Sequence, residues 1–319
     1  MENSPEGLGN TPPAPSNENY RVTAQPFLYV REGPGKSYAK VDSVMLNEVV
    51  EKLDENEDGT WFKIRTSHGS ITGWCFAQYP QKEIETQPFE NKTTYPAKGV
   101  TRIEGELHRT RFYLTICNPL DIKIEVVHED SRPSSIAKKA GAKFGFNGDD
   151  WERATRRVKG TEICNGKIYQ KRIKSKPSLI VTKGGKVYID HKNIPDQWNV
   201  TSGLRYLVKD AINLIPINST LPKHTERHAR SVRGLHADGS VMFLTVDGDY
   251  IYRGMTLWQA ASLMLDFGCV IAFDGGGGGD SVDVVDGTVA NVPDDEAPNG
   301  MPNERRVPQT ILVFTKEED

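Results

Sequence analysis

Residues 256–281 read TLWQAASLMLDFGCVIAFDGGGGGDS, and the fold expected for the larger part of the chain turns on them. Thr256 and Gln259 stand at capping-box spacing, so each side chain can satisfy a backbone N–H at the start of a helix. Leu257, Ala260, Ala261 and Met264 recur at i, i+3, i+4 and i+7, which makes one apolar helical face. Gly268 stands where a left-handed cap ends such a helix. Cys269 to Phe273 is wholly apolar, which predicts a central strand buried on both faces. That strand delivers Asp274 to its carboxyl end, the edge where open α/β sheets bind ligands. From Gly99 to Phe314 strand and helix signals mix, so the expected fold is α+β, with a mixed α/β architecture.

Five glycines follow Asp274, and then Asp280 and Ser281. Ordering five glycines costs much backbone entropy, which mere connection does not justify. Uncovered backbone N–H groups in such a loop can receive an anion. The loop is no phosphate-binding P-loop: no Gly-Lys-Ser/Thr follows, and Val282 to Val285 with Asp286-Gly287 reads as a hairpin.

At 319 residues the chain predicts about two domains. Residues 1–19 read as a disordered leader, rich in Pro, Ser, Asn and Gly. Residues 20–80 carry short alternating strands with glycine turns, which predicts a small all-β barrel. Residues 81–98 are polar and pattern-free, a linker, and residues 99–316 form the second domain. The 40 basic and 43 acidic residues leave a net charge of −3, so no global field attracts nucleic acid, and none is expected as a partner. No apolar run approaches the roughly 20 residues of a membrane span, and no signal peptide opens the sequence. Four cysteines, Cys75, Cys117, Cys164 and Cys269, are too few and too far apart for a disulfide scaffold or a CxxC site.

Leu28-Tyr29-Val30-Arg31-Glu32-Gly33-Pro34-Gly35, with Trp61-Phe62-Lys63-Ile64 and Gly73-Trp74, resembles a bacterial SH3-like domain. The resemblance implies attachment to bacterial cell wall or glycan. A second resemblance covers Gly99 to Phe314. Gly254-Met255-Thr256-Leu257-Trp258, Asp274 to Gly277, Val284 to Gly287 and Arg305 occur in the order found in the phosphodiester glycosidase family. Phe144 to Gly148, Ser202-Gly203, Arg230-Ser231 and Leu244 to Gly248 agree with it. The family's best-known activity removes N-acetylglucosamine from a sugar-phosphate diester. The chain departs from the family where Gly278 and Gly279 replace two hydroxyl residues, where Asp149-Asp150-Trp151 follows Asn147-Gly148, and where Arg205-Tyr206 replaces a frequent proline.

The resemblance implies a hydrolase that releases sugar and a phosphate monoester from a sugar-1-phosphodiester. Such chemistry needs a cradle for the departing phosphate and carboxylates for the charge at the anomeric carbon. Asp274 is the expected catalytic carboxylate, as base or nucleophile, with Asp247 as the second. Asp-Gly is equally a common hairpin turn, which leaves Asp247 open. Arg230 and Arg305 can clamp phosphate with their planar forks. Asn147 can orient a sugar hydroxyl or the attacking water, and Gly275, Gly276, Gly277 and Ser281 complete the expected binding set. No cofactor is required by any motif. His224 and His228 lack a zinc motif, while Asp149, Asp150, Asp247, Asp249 and Asp280 leave a divalent cation open.

Nine basic residues lie between Arg153 and Lys176, which suits either a solvated face or an anionic polymer. The two resemblances together imply work outside a bacterial cell, with phage delivery or non-classical export as routes. A cell-wall or glycan-binding protein without turnover is the alternative.

Overall fold

The computed structural model describes residues 18–22, 27–45, 49–66, 71–82, 91–107, 110–216, 219–248, 254–297 and 301–316. The expected leader lies outside them up to residue 17, as do residues 83–90 of the expected linker, and Asp249. The chain divides into two compact units, Met1–Gln87 and Pro88–Asp319.

In the first unit seven strands form one sheet, in the order Lys40–Met45, Phe27–Arg31, Thr72–Phe76, Trp61–Thr66, Val49–Glu55, Glu18–Val22, Pro80–Lys82. Leu28 and Val30 turn inward while Tyr29 between them is exposed, the alternation of a strand with one buried face. They pack with Tyr20, Val22, Val50, Ile64 and Cys75 into a small core. The Gly33-Pro34-Gly35 turn has a steric reason: a Cβ on Gly33 would lie 2.5 Å from the Tyr38 ring.

The second unit holds an eight-stranded sheet in the order Ile212–Asn213, Arg205–Lys209, Cys269–Asp274, Arg230–His236, Val241–Val246, Thr110–Cys117, Val100–Leu107, Lys92–Ala97. Its edge strand, Lys92–Ala97, lies within the stretch expected as linker. A five-stranded sheet runs Ile122–Ser131, Val307–Thr315, Phe144–Asn147, Asp283–Val285, Thr288–Val289, and another runs Lys167–Gln170, Glu162–Cys164, Gln197–Ser202, Ser178–Thr182, Val187–Asp190.

The helix read from Thr256 forms as Leu257–Asp266, with both bonds of the capping box present. Its Leu257, Ala260, Ala261 and Met264 pack on Val232, Leu244 and Ala272 at one face of the eight-stranded sheet. Phe243 and Phe273 face the other way, into a core shared with Phe144, Phe146, Leu179, Ile311 and Val313.

The α+β, mixed α/β expectation is overturned. The second unit is nearly all β, and its α-helices among the described residues are Pro133–Ala140, the single turn Pro222–Thr225 and Leu257–Asp266. Cys269–Asp274 is central, as expected, but it is antiparallel to both neighbours. An apolar run dictates burial on both faces, not what covers them. Here one helix covers the first face and packed sheets the second, so no parallel crossover is required.

A buried ion pair joins two of the sheets. Arg102, on Val100–Leu107, donates through Nη1 to both carboxylate oxygens of Asp283 at 3.1 Å, and the two side chains are 3% and 0% exposed. Its Nε donates to Glu104 at 3.0 Å, and Nη1 also reaches Thr115 Oγ1.

Candidate active site

Strand pairing places Asp274 opposite Arg205 on one side and Val232 on the other. Paired residues share a face, and Arg230 lies two positions from Val232, so Asp274, Arg205 and Arg230 converge on one face at the sheet's end. Asp274 is 2% exposed, with Oδ2 3.8 Å from Arg205 Nε. Its main-chain carbonyl accepts from Leu204 N at 2.7 Å. Gly203 must be glycine for this approach, because a Cβ there would collide with Phe273 and the Asp274 carbonyl. Arg230 is aimed by its Nε, which donates to the Met255 carbonyl at 3.0 Å, and by Nη2 to the Glu226 carbonyl at 2.8 Å. Burial pushes the Asp274 carboxyl up to about 6 against the pull of Arg230 and Arg205, and the Asp150 charge adds to the rise.

The glycine loop differs from the open anion nest expected. Gly275 N donates to the Ser231 carbonyl at 2.8 Å, Gly276 N to Gly148 at 3.4 Å, and Gly278 N to Ala229 at 2.9 Å. Close packing explains the composition: a Cβ on Gly277 would lie 3.0 Å from the Ala229 carbonyl, and one on Gly279 would collide with Arg305 and Asp295. Asn147 stitches the loop in place. Its Nδ2 donates to the Gly276 carbonyl at 2.6 Å, and its Oδ1 accepts from Ser231 Oγ at 2.8 Å and Val282 N at 3.3 Å. Ser281 Oγ lies 3.2 Å from Ser231 Oγ. Asn147 and Ser281 thus hold the framework behind Asp274. Arg305 is engaged as well: it forks onto Asp295 through Nε and Nη2 and donates through Nη1 to Asp280 at 2.9 Å.

Asp247 is not brought to Asp274. Val246 pairs with Arg230 and shares its face, so the next residue projects the opposite way. Asp247 is 0% exposed, and its Oδ1 accepts from Val292 N at 2.8 Å. Burial pushes its carboxyl from 3.8 to about 7. Between those values the folded form holds a proton that the unfolded chain has lost, so this group's stabilising contribution falls as pH rises through the window. Asp247→Asn, uncharged throughout, should therefore match the wild type near pH 4 and melt higher above about pH 7. Thermal unfolding across that range checks it, and parallel curves would refute the assignment.

Arg205 and Asp150, whose charges act on Asp274, and the buried Asp149 were not expected in these roles. Arg205 was noted only as a departure from proline, and nothing but strand register reveals its place. Asp149 and Asp150 stand in the sequence as a departure from the family and as cation candidates. Asp150 is partly exposed, accepts from Lys159 Nζ at 2.8 Å, and its charge raises both Asp274 and Asp280. Asp149 is buried and pushed up to about 7 by burial, with Lys176 Nζ at 4.0 Å. The basic run is thus partly internal to the fold: Arg156 pairs with Asp130, and Arg172 donates to the Asp190 and His191 carbonyls. Among the described residues no three His, Cys, Asp or Glu side chains are placed to hold a metal ion. His224 bonds with Ser219 Oγ at 2.8 Å.

Residues 140–314, more than half of the sequence, match the phosphodiester glycosidase family. The chain belongs to that family. Phosphodiester glycosidases are hydrolases of phosphodiester-linked sugars, and the residues gathered around Asp274 fall within the matched segment. Residues 26–81 match the bacterial SH3 domain, so the first unit is SH3-like. An SPbeta prophage-derived protein of Bacillus subtilis strain 168, YomE, is 25% identical over 198 residues, covering 58% of this chain and 30% of its own length. Bovine N-acetylglucosamine-1-phosphodiester alpha-N-acetylglucosaminidase is 35% identical over 86 residues, 27% of this chain and 16% of the enzyme. The chain thus spans under a third of the length of these curated relatives. The catalytic domain of the zebrafish enzyme has the same fold, with a TM-score of 0.59 and 18% identity over 71% of this chain and 82% of that one. A Synechocystis protein of known structure aligns over 98% of this chain and 83% of its own, with a TM-score of 0.54 and 12% identity.

Proposed function

We propose that the second unit hydrolyses a sugar-1-phosphodiester to free sugar and a phosphate monoester, with Asp274 as the catalytic carboxylate. The observation that carries this reading is the buried Asp274 flanked by Arg205 and Arg230 at one sheet end. Water supplies the hydroxyl that replaces phosphate at the anomeric carbon. The C1–O bond breaks, and its electron pair leaves with the phosphate. A carboxylate beside the anomeric carbon stabilises its positive charge and acts as base or nucleophile. Two guanidinium groups on the same face offset the negative charge gathering on the phosphate, and low local dielectric strengthens both effects. Asn147 and the glycine loop hold these groups in place from behind.

The first unit attaches the protein to a bacterial wall or glycan in this reading. Tyr29, Trp61, Phe76 and Tyr79 line a cleft of about 570 Å³ there, and Tyr29 and Tyr38 are exposed. The likeness to a prophage-derived protein supports work outside the cell.

The test is release of sugar and monoester from a panel of sugar-1-phosphodiesters that includes N-acetylglucosamine-1-phosphodiesters, with and without EDTA. Equal release of both products supports the proposal. No release from any diester, with purified wall still bound, supports the reading in which the protein binds without turnover, which the engaged glycine loop and Arg305 favour.

Asp274 must be ionised to act, so kcat/KM should rise with pH through about 6 and then level. Arg205→Ala removes a cation that favours the ionised form, so this acid limb should move to higher pH. Loss of one charge-assisted contact of about 1.5–3 kcal/mol predicts a kcat/KM about 10- to 150-fold lower. An unmoved limb in that variant would separate Arg205 from Asp274.

A further inference from the structure

A second cleft, of about 770 Å³, lies in the same unit and shares no lining residue with the Asp274 cluster. It opens between the hairpin of Ser178–Thr182 and Val187–Asp190 and the strand Ile122–Ser131. Four lysines line it, Lys123, Lys183, Lys186 and Lys316, and no Asp or Glu does. Lys123 pairs with Glu125 at 2.6 Å, and Lys316 donates to the Leu120 carbonyl at 2.5 Å. Lys183 and Lys186, at the hairpin turn, have no carboxylate partner among the described residues.

Aromatic rings accompany these charges. Trp198 and the exposed Tyr188 line the cleft. Trp198 is held by Gly166 at φ +80, where a Cβ would lie 2.5 Å from the indole, and Lys183 Nζ stands 5.3 Å from its ring centroid. Sugar rings present apolar C–H faces that lie well on such rings, while phosphate groups meet ammonium groups. We propose that this cleft binds a glycan chain bearing phosphate groups, apart from the reaction centre.

The concave shape favours a chain over a membrane, which would need protruding apolar residues; Leu120 is the exposed large apolar residue in the lining outside Tyr188. A nucleic acid backbone would set phosphates against the same lysines, so single-stranded DNA is a competing ligand in the test. The assignment stands on the cleft and holds whether or not Asp274 supports turnover.

The experiment compares the full chain with its Lys183→Glu/Lys186→Glu variant by calorimetry. The probes are a poly(glycosyl phosphate) oligosaccharide, the same glycan freed of phosphate, phosphatidylglycerol vesicles and single-stranded DNA. The phosphorylated glycan should bind best, and the variant should bind it at least about tenfold more weakly, a loss of about 1.4 kcal/mol. Hydrolysis of a small sugar-1-phosphodiester should not change, and added salt should weaken wild-type binding. Tyr188→Ala, at an exposed position, reads the aromatic contribution if charge reversal disturbs folding. Because the first unit is identical in all variants, any wall binding of its own cancels. An unchanged Kd in both variants overturns the proposal, as does tighter binding to vesicles or DNA than to the glycan. Binding that follows these expectations without hydrolysis would sink the proposed activity and leave the cleft assignment standing.

Discussion

Asp274→Asn is expected to lower kcat for sugar-1-phosphodiester hydrolysis by at least about a thousandfold, near 4 kcal/mol of transition-state stabilisation. The substitution keeps size and shape, and it removes the negative charge that the proposed mechanism sets against the anomeric carbon. KM should change little, because Arg205 and Arg230 remain to meet the phosphate. The fold should persist. Asp274 is buried and its ionised form is held against desolvation, so a neutral amide relieves that cost and the melting temperature should hold or rise above pH 6. Monoester release by the purified variant, with its thermal unfolding, is the measurement. A variant that keeps more than about a tenth of kcat would move the reacting carboxylate elsewhere, and Asp150 would be examined next.

Asp283→Ala should produce the largest loss of stability. It leaves the Arg102 guanidinium buried beside Thr115 with its main counter-charge gone. Removing one partner of a buried pair costs about 3–5 kcal/mol, because the remaining charge is uncompensated. For a unit of this size that is a fall of about 10 °C or more in Tm. Asp283 lies four residues past Gly279, so the glycine loop should lose order before the sheets separate. Replacing both partners, as Arg102→Met with Asp283→Leu, should recover most of the loss, since the cost lies in the orphaned charge. Chemical denaturation of the three variants checks this. Equal destabilisation by the single and double changes would show that the pair is not the cause.

The helix was legible because its signals are local: Thr256 and Gln259 form the capping box and Gly268 follows at φ +77. The central strand was legible from Cys269 to Phe273 alone, since an apolar run demands cover on both faces. What covers it was not, because strands far apart in the chain supply the second layer, as Phe146 stacks on Phe243. Asp274 and Arg230 could be nominated from motifs. Their union with Arg205, and the exclusion of Asp247, depend on strand register, where one position reverses a side chain's face. Arg305 shows where a motif leaves a partner open. A guanidinium fork suits phosphate, but it suits Asp295 and Asp280 equally well.

The strand Val307–Thr315 lies between Ile122–Ser131 and Phe144–Asn147, pairing with both. Its Gln309 accepts from Asp149 N at 3.0 Å and from Thr201 Oγ1 at 2.6 Å, and its carbonyl accepts from Gly148 N at 2.9 Å. Of the strands that frame Asn147 and Asp149, this one leaves the ribosome last. A nascent chain can form the hairpins on either side, yet the strand segments that carry these residues have no common partner until synthesis has passed residue 310. The proposed hydrolytic capacity should therefore arrive in one step once residue 310 has emerged, and chains stalled before that point should be inert whatever their folded fraction.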